Sequence, residues 1–242
     1  MSNIFLSGVS YMSKCLSSKA LPLICMFDDS EILAITVAEK LTHLISSAIS
    51  ARGACHMVFP GGRSPRRIFE ILREKPLSWK LLHLYPSDER CVARGDADRN
   101  DRLIEELFLS ELDLPVVNLH RIPAEYGPEE GAYQYREFLR HVPRFDVALL
   151  GVGPDGHTAS LFPDAPNLSD ARAAVPVHNA CTSPLERVSL GVSRLRDARE
   201  RWVIVSGSEK QEIMSQIQFR DNLPVRRIFP TMLFVDKMAA GL

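Results

Sequence analysis

Short apolar runs that alternate with helix-periodic stretches constrain this chain more than any other feature. Residues 56–59, 81–85, 116–119, 145–150, 188–192 and 202–205 are each too short for a helix and too apolar for an exposed turn. They suit strands buried on both faces. Between them, residues 65–73, 100–109, 129–141 and 209–218 read as helices. Upstream, Ile32, Ile35, Val37, Leu41, Leu44, Ile45 and Ile49 recur near the helical period, which predicts a helix over 30–49 capped by Ser30. Such alternation builds an α/β fold, a mainly parallel, doubly wound sheet with helices on both faces. Ligands of these sheets gather beyond the carboxyl ends of the strands, so chemistry is expected in the loops that directly follow them.

A chain of 242 residues is long enough for one large domain. With no repeat or linker in view, residues 30–242 read as a single domain. Residues 1–29 form an N-terminal extension, disordered or strand-forming. Its first 27 residues hold no acid and only Lys14 and Lys19 as bases, without the arginines of a transit peptide. The net charge of -1 provides no global field for nucleic acid or a membrane surface. No uninterrupted run of about 18 apolar residues predicts a membrane span. Cys15, Cys25, Cys55, Cys91 and Cys181 are odd in number and contain no CxxC pair, which argues against a zinc site and a disulfide framework. Free thiols point to a reducing cytoplasm. The chain is read as a monomer or a small homo-oligomer.

Three loops after strands stand out. In Gly61-Gly62-Arg63-Ser64-Pro65, the glycines let a ligand approach the backbone, Ser64 suits an N-cap and Pro65 the first helical position. The amides and dipole of that helix start would hold an anion, with Arg63 beside it; the plainer reading is a well-capped turn. In Ser87-Asp88-Glu89-Arg90, the two acids are expected to orient Arg90 towards a developing oxyanion, or else form a surface ion pair. Asn100, further on, suits a helix cap or a contact to a sugar hydroxyl.

The third loop, Gly151-Val152-Gly153-Pro154-Asp155-Gly156-His157, spells GxGxxG after a strand. Pro163 follows too soon for the long helix that a dinucleotide site needs, so that reading is rejected. What remains is a glycine-rich turn presenting Asp155 and His157. An imidazole titrates near neutrality and can take a proton from water, which makes His157 a candidate general base. Most histidines are structural, and His43, His56, His83, His120, His141 and His178 are read so here. His157 is set apart by glycines and a small-residue helix start that leave it little to pack against.

In this order, Gly61 to Pro65, Ser87 to Arg90 and Gly151 to Pro163 closely resemble the 6-phosphogluconolactonase family. Arg187-Val188-Ser189-Leu190, Ser206-Gly207-Ser208-Glu209-Lys210, Leu223-Pro224 and residues 236–240 agree with it, so the resemblance spans roughly residues 30–240. It implies hydrolysis of a phosphorylated sugar lactone, 6-phosphogluconolactone, to 6-phosphogluconate in the oxidative pentose phosphate pathway, without cofactor or metal. It also implies the fold of sugar-phosphate isomerases and deaminases. By the same resemblance His157 is the base, Asp155 its orienter and Arg90 the partner of the oxyanion or ring oxygens. Gly61, Gly62, Arg63, Ser64, Arg187 and Lys210 would receive phosphate, with Asp88, Asn100 and Gly153 completing the site. Pro60, Arg63, Ser87 and Arg99 depart from the family's usual residues.

Two other readings share the scaffold. Deaminases of amino-sugar phosphates carry an Asn-Glu pair where this chain has Ser160-Leu161-Phe162-Pro163. Sugar-phosphate sensors place a helix-turn-helix ahead of the ligand domain, and residues 1–29 have no pattern for one.

Overall fold

The computed structural model describes residues 22–62, 64–109, 118–217 and 219–242, with only the backbone of Ser64, Phe108 and Leu109. The chain runs β1 (Leu23–Phe27), α1 (Ser30–Arg52), β2 (Cys55–Phe59), α2 (Ser64–Arg73), β3 (Leu82–Pro86), β4 (Asp88–Arg90) and α3 (Asp101–Ile104). It continues through α4 (Pro128–Leu139), β5 (Val147–Gly151), β6 (Ala174–Val177), β7 (Arg187–Leu190), α5 (Val192–Asp197) and β8 (Glu200–Val205). The last elements are α6 (Gln211–Ile217), α7 (Pro224–Arg227), β9 (Met232–Asp236) and α8 (Lys237–Ala240).

Six strands form one parallel sheet in the order β1-β9-β8-β5-β2-β3. Alternate residues feed two cores. Val147 and Leu149 of β5 join α1 and α2 on one face, whereas Ala148 and Leu150 join α4, α5 and α6 on the other. Because both faces are covered, these strands need apolar residues at every position, and that is why they read as unbroken apolar runs.

The predicted elements return with adjusted ends. Helix α1 reaches Arg52, and its cap is Asp29 rather than Ser30: the Asp29 carboxylate accepts from the Ile32 amide at 2.8 Å. By length and mean hydropathy (1.4) α1 would qualify as a membrane span, contrary to the expectation that no segment does. Leu33, Val37, Leu41 and Ile45 are nevertheless buried against the sheet, as in a core helix. Strand β1, within the N-terminal extension expected over 1–29, pairs with β9 in the main sheet. The predicted helix over 100–109 is a single α turn, α3, followed by a π-helical turn at Glu105–Leu109. Of the predicted strand at 116–119, residues 116 and 117 lie outside the described residues, and Leu119 makes one parallel bridge to Leu84.

A second, antiparallel sheet, β4-β7-β6, corrects the reading of two segments. Residues 88–90, taken as loop, form its edge strand, and the apolar run at 188–192 belongs here rather than to the parallel sheet. Charge disguised β4. Glu89 is fully buried, and its carboxylate accepts from the backbone amides of Arg90, Asn100 and Asp101 at 2.9, 2.7 and 2.9 Å. Burial, reinforced by Asp101, raises the Glu89 carboxyl to about 7 against the pull of those amides and of Arg99.

Candidate active site

A cavity of ≈ 730 Å³ opens where the carboxyl ends of the parallel strands meet the small sheet. Gly61, Gly62, Asp88, Arg90, Asn100, Gly153, His157, Arg187 and Lys210 all line it. Arg63 lies outside the described residues; Ser64 is the first residue of α2, in sequence between the lining residues Gly62 and Pro65. The first turn of α2 contains no acidic residue, so its amide end is left to an anion.

His157 sits in the segment after β5, which turns through residues 152–162 without forming a helix, as the rejection of a dinucleotide site requires. Its Nδ1 is 2.5 Å from Asp155 Oδ1, which also accepts the His157 backbone amide at 3.1 Å. A carboxylate can only accept here, so Nδ1 carries the proton and Nε2 is left as the basic nitrogen. Burial pushes the Asp155 carboxyl up, but the hydrogen bond and charge of His157 outweigh it and hold the group below its usual range. The turn needs its glycines. A Cβ on Gly153 would come within 2.1 Å of the imidazole, and Gly156 adopts a left-handed φ of 87°.

The expectation that His157 has little to pack against is corrected. Its ring lies 4.8 Å from that of Phe162, and its side chain keeps 29% exposure. Phe162 also carries the Arg187 guanidinium at 5.9 Å on its ring, so one buried aromatic spaces the imidazole from a cation. Phe162 was visible in the motif, but an aromatic there is indistinguishable from core by sequence.

Arg90 and Arg187 occupy directly opposed positions on β4 and β7. Like charges so placed repel unless an anion lies between them. Arg187 is almost wholly buried, fixed by Thr182 and the Pro184 carbonyl, and burial lowers its pKa. Arg90 is oriented by the Asp98 carbonyl and Asn100 Oδ1, at 2.8 and 2.5 Å, and not by the side chains of Asp88 and Glu89 as expected. Its Nε is buried without a partner among the described residues.

Asp88 is likewise committed inward. One oxygen accepts the Ser87 hydroxyl at 2.7 Å, the other the Ser160 hydroxyl at 2.6 Å, and Ser160 connects onward to Ser189 and Arg187. Asn100 does not cap α3. It bonds to Arg90 and to the Asp88 carbonyl, and it lies so close to the first glycine loop that a Cβ on Gly61 would fall 1.8 Å from its Oδ1. The departure at Arg99 is also explained. This buried guanidinium pairs with Asp101 and Glu125 and supports the segment bearing Asn100.

Lys210 follows Gly207 in a 3₁₀ turn and forms no salt bridge among the described residues. Asp236 fastens that turn by accepting the Ser206 hydroxyl at 2.5 Å and the Gly207 amide. Arg67, Glu31 and Ser206 also line the cavity and were missed. Arg67 is bidentate with Glu31, a pair that resembles any surface ion pair in sequence. Among the described residues, no group of three or more His, Cys, Asp or Glu side chains is arranged to hold a metal ion.

The family model of glucosamine-6-phosphate isomerases/6-phosphogluconolactonase matches residues 28–235. The 6-phosphogluconolactonase of Streptomyces coelicolor is 34% identical over 208 residues, 78% of this chain and 80% of that one. That of Synechocystis is 32% identical over 205 residues, 81% and 85% of the two chains. The crystal structure of 6-phosphogluconolactonase from Thermotoga maritima superposes with a TM-score of 0.82 at 27% identity, covering 88% of this chain and 99% of the other.

Proposed function

Because the chain belongs to the glucosamine-6-phosphate isomerase/6-phosphogluconolactonase family, we propose that it hydrolyses 6-phospho-D-glucono-1,5-lactone to 6-phospho-D-gluconate. Water adds to the lactone carbonyl while His157 Nε2 takes its proton. Asp155 keeps the proton on Nδ1 and steadies the imidazolium that forms. The oxyanion develops towards Arg90; Gly153 lines the cavity, but its amide already donates to the His157 carbonyl at 2.8 Å. Collapse of the tetrahedral intermediate breaks the bond to the ring oxygen, which recovers the proton from His157.

The phosphate is read onto the start of α2, Gly61, Gly62, Arg187 and Lys210. Asp88 and Asn100 act through the groups they hold. A single observation carries this reading: an imidazole with one nitrogen fixed by a carboxylate shares a cavity with Arg90, Arg187 and Lys210. The pathway served is the oxidative pentose phosphate pathway, and free Cys25, Cys55, Cys91 and Cys181 suit a reducing cytoplasm.

Freshly prepared lactone tests the proposal. The wild type should exceed the spontaneous rate, and His157→Ala should lose at least about tenfold of the catalysed rate. An unimpaired variant refutes the role of His157. Ammonia release from glucosamine 6-phosphate should be absent, since the deaminases' Asn-Glu pair is replaced by Leu161-Phe162.

A further inference from the structure

A second cavity, of ≈ 500 Å³, is lined by Tyr133, Arg136, Glu137 and Arg140 of the α4 region, Arg172 ahead of β6 and Arg194 of α5. It shares no lining residue with the active-site cavity. It also lies at the opposite end of β5: Arg194 donates to the carbonyls of Val142 and Pro143, which precede that strand, whereas the Gly151 turn follows it.

Charge in this cavity is unbalanced. Glu137 pairs with Arg140 at 3.2 Å, and Asp170 chelates Arg172. Arg136 is left with the Ala174 carbonyl at 3.2 Å and the Tyr133 ring at 5.8 Å. Arg194 lies 4.3 Å from the Phe145 ring centroid, and its Nε is buried without a partner among the described residues. Neither Arg136 nor Arg194 has a carboxylate of the described residues within salt-bridge distance. Four guanidinium groups line the cavity with one carboxylate, Glu137; Asp170 and Asp197, outside the lining, act on Arg136 and Arg194 only from beyond salt-bridge distance.

A partly desolvated cation without a counter-ion is unfavourable until an anion supplies one. That excess of positive charge suits a phosphate monoester, which carries roughly -1.5 to -2 at neutral pH. Guanidinium forks fit phosphate oxygens, and the volume lies within the small-molecule range. We propose that this cavity is a second anion site, taking the phosphate group of a small phosphorylated metabolite independently of the active site.

Amide NMR titration of the full chain with inorganic phosphate, at constant ionic strength, tests the idea. Saturable shifts are expected at Tyr133, Arg136, Ala173 and Arg194. They should persist in Lys210→Met, whose altered side chain belongs to the other cavity. Arg136→Gln should weaken the response at least about tenfold, the scale of a charge-assisted hydrogen bond. Arg140→Gln alters a side chain that is 72% exposed and so leaves the fold intact; it should weaken the response in the same direction. The proposal is overturned if no saturable shift occurs at these amides up to roughly tens of millimolar phosphate. It is equally overturned if the shifts survive both arginine variants unchanged, or disappear in Lys210→Met.

Discussion

Histidine occurs in two contrasting settings in this molecule. His56 and His83 are register partners on β2 and β3, stacked 4.8 Å apart, and His83 stacks in turn with His120 at 5.2 Å. Their polar atoms satisfy one another or Tyr85: His83 Nδ1 meets His120 Nε2 at 2.9 Å, and His56 Nδ1 meets the Tyr85 hydroxyl at 2.8 Å. Burial lowers the pKa of all three, that of His120 to about 4. His157 instead follows a strand, in a turn kept open by Gly153 and Gly156, with one nitrogen fixed and the residue lining a cavity. The same side chain is half-buried packing in one place and, in the proposed mechanism, a proton acceptor in the other. What separates them is the position along the strand and the nitrogen that the fold leaves unused.

The sharpest way to break this contrast is to remove each kind of histidine. His157→Ala should lower kcat by about 10² to 10⁴, the usual worth of a general base, whereas His120→Gln should leave turnover per folded molecule within about twofold. Equal losses in the two would dissolve the distinction. Asp155→Asn should cost roughly tenfold or more, because an amide can present its NH₂ to Nδ1 and favour the wrong tautomer. Gly153→Ala, whose methyl would press on the imidazole, should cost on the order of tenfold in kcat with little change in melting temperature, since 29% of the His157 side chain already faces solvent. A fully active alanine variant would mean that the ring is not positioned by this contact.

The smallest effect is on stability and acts through the stacked trio. The folded state protonates these rings less readily than the unfolded chain, whose histidines titrate near pH 6.5. Stability contributed by the neutral stack is therefore complete above about pH 6.5 and is lost as pH falls from there towards about 4. Melting curves should show a shallower decline across that window in His120→Gln than in the wild type. Parallel slopes would remove His120 from the account.

The parallel sheet was legible because its strands are covered on both faces, which leaves an unmistakable apolar signature in residues 145–150 and 202–205. Strand β1, at one edge, and its neighbour β9 carry a similar signature, in Leu23–Phe27 and Met232–Asp236. The small sheet was illegible for a different reason. Asp88, Glu89 and Arg90 look like a solvated turn, and only tertiary amides and hydroxyls make their burial possible. At the site, His157 and its glycines could be read from local pattern, since the turn makes its own geometry. The holders of Arg90 could not, because Asn100 and the Asp98 carbonyl arrive from a separate loop.

The facing placement of Arg90 and Arg187 across two adjacent strands carries a thermal corollary. An unoccupied enzyme retains their mutual repulsion, and an anionic guest turns it into attraction. Substrate or product should therefore raise the melting point as mass action dictates, and a neutral sugar of the same size should not. Preference for negatively charged guests is in this sense written into the strand register itself.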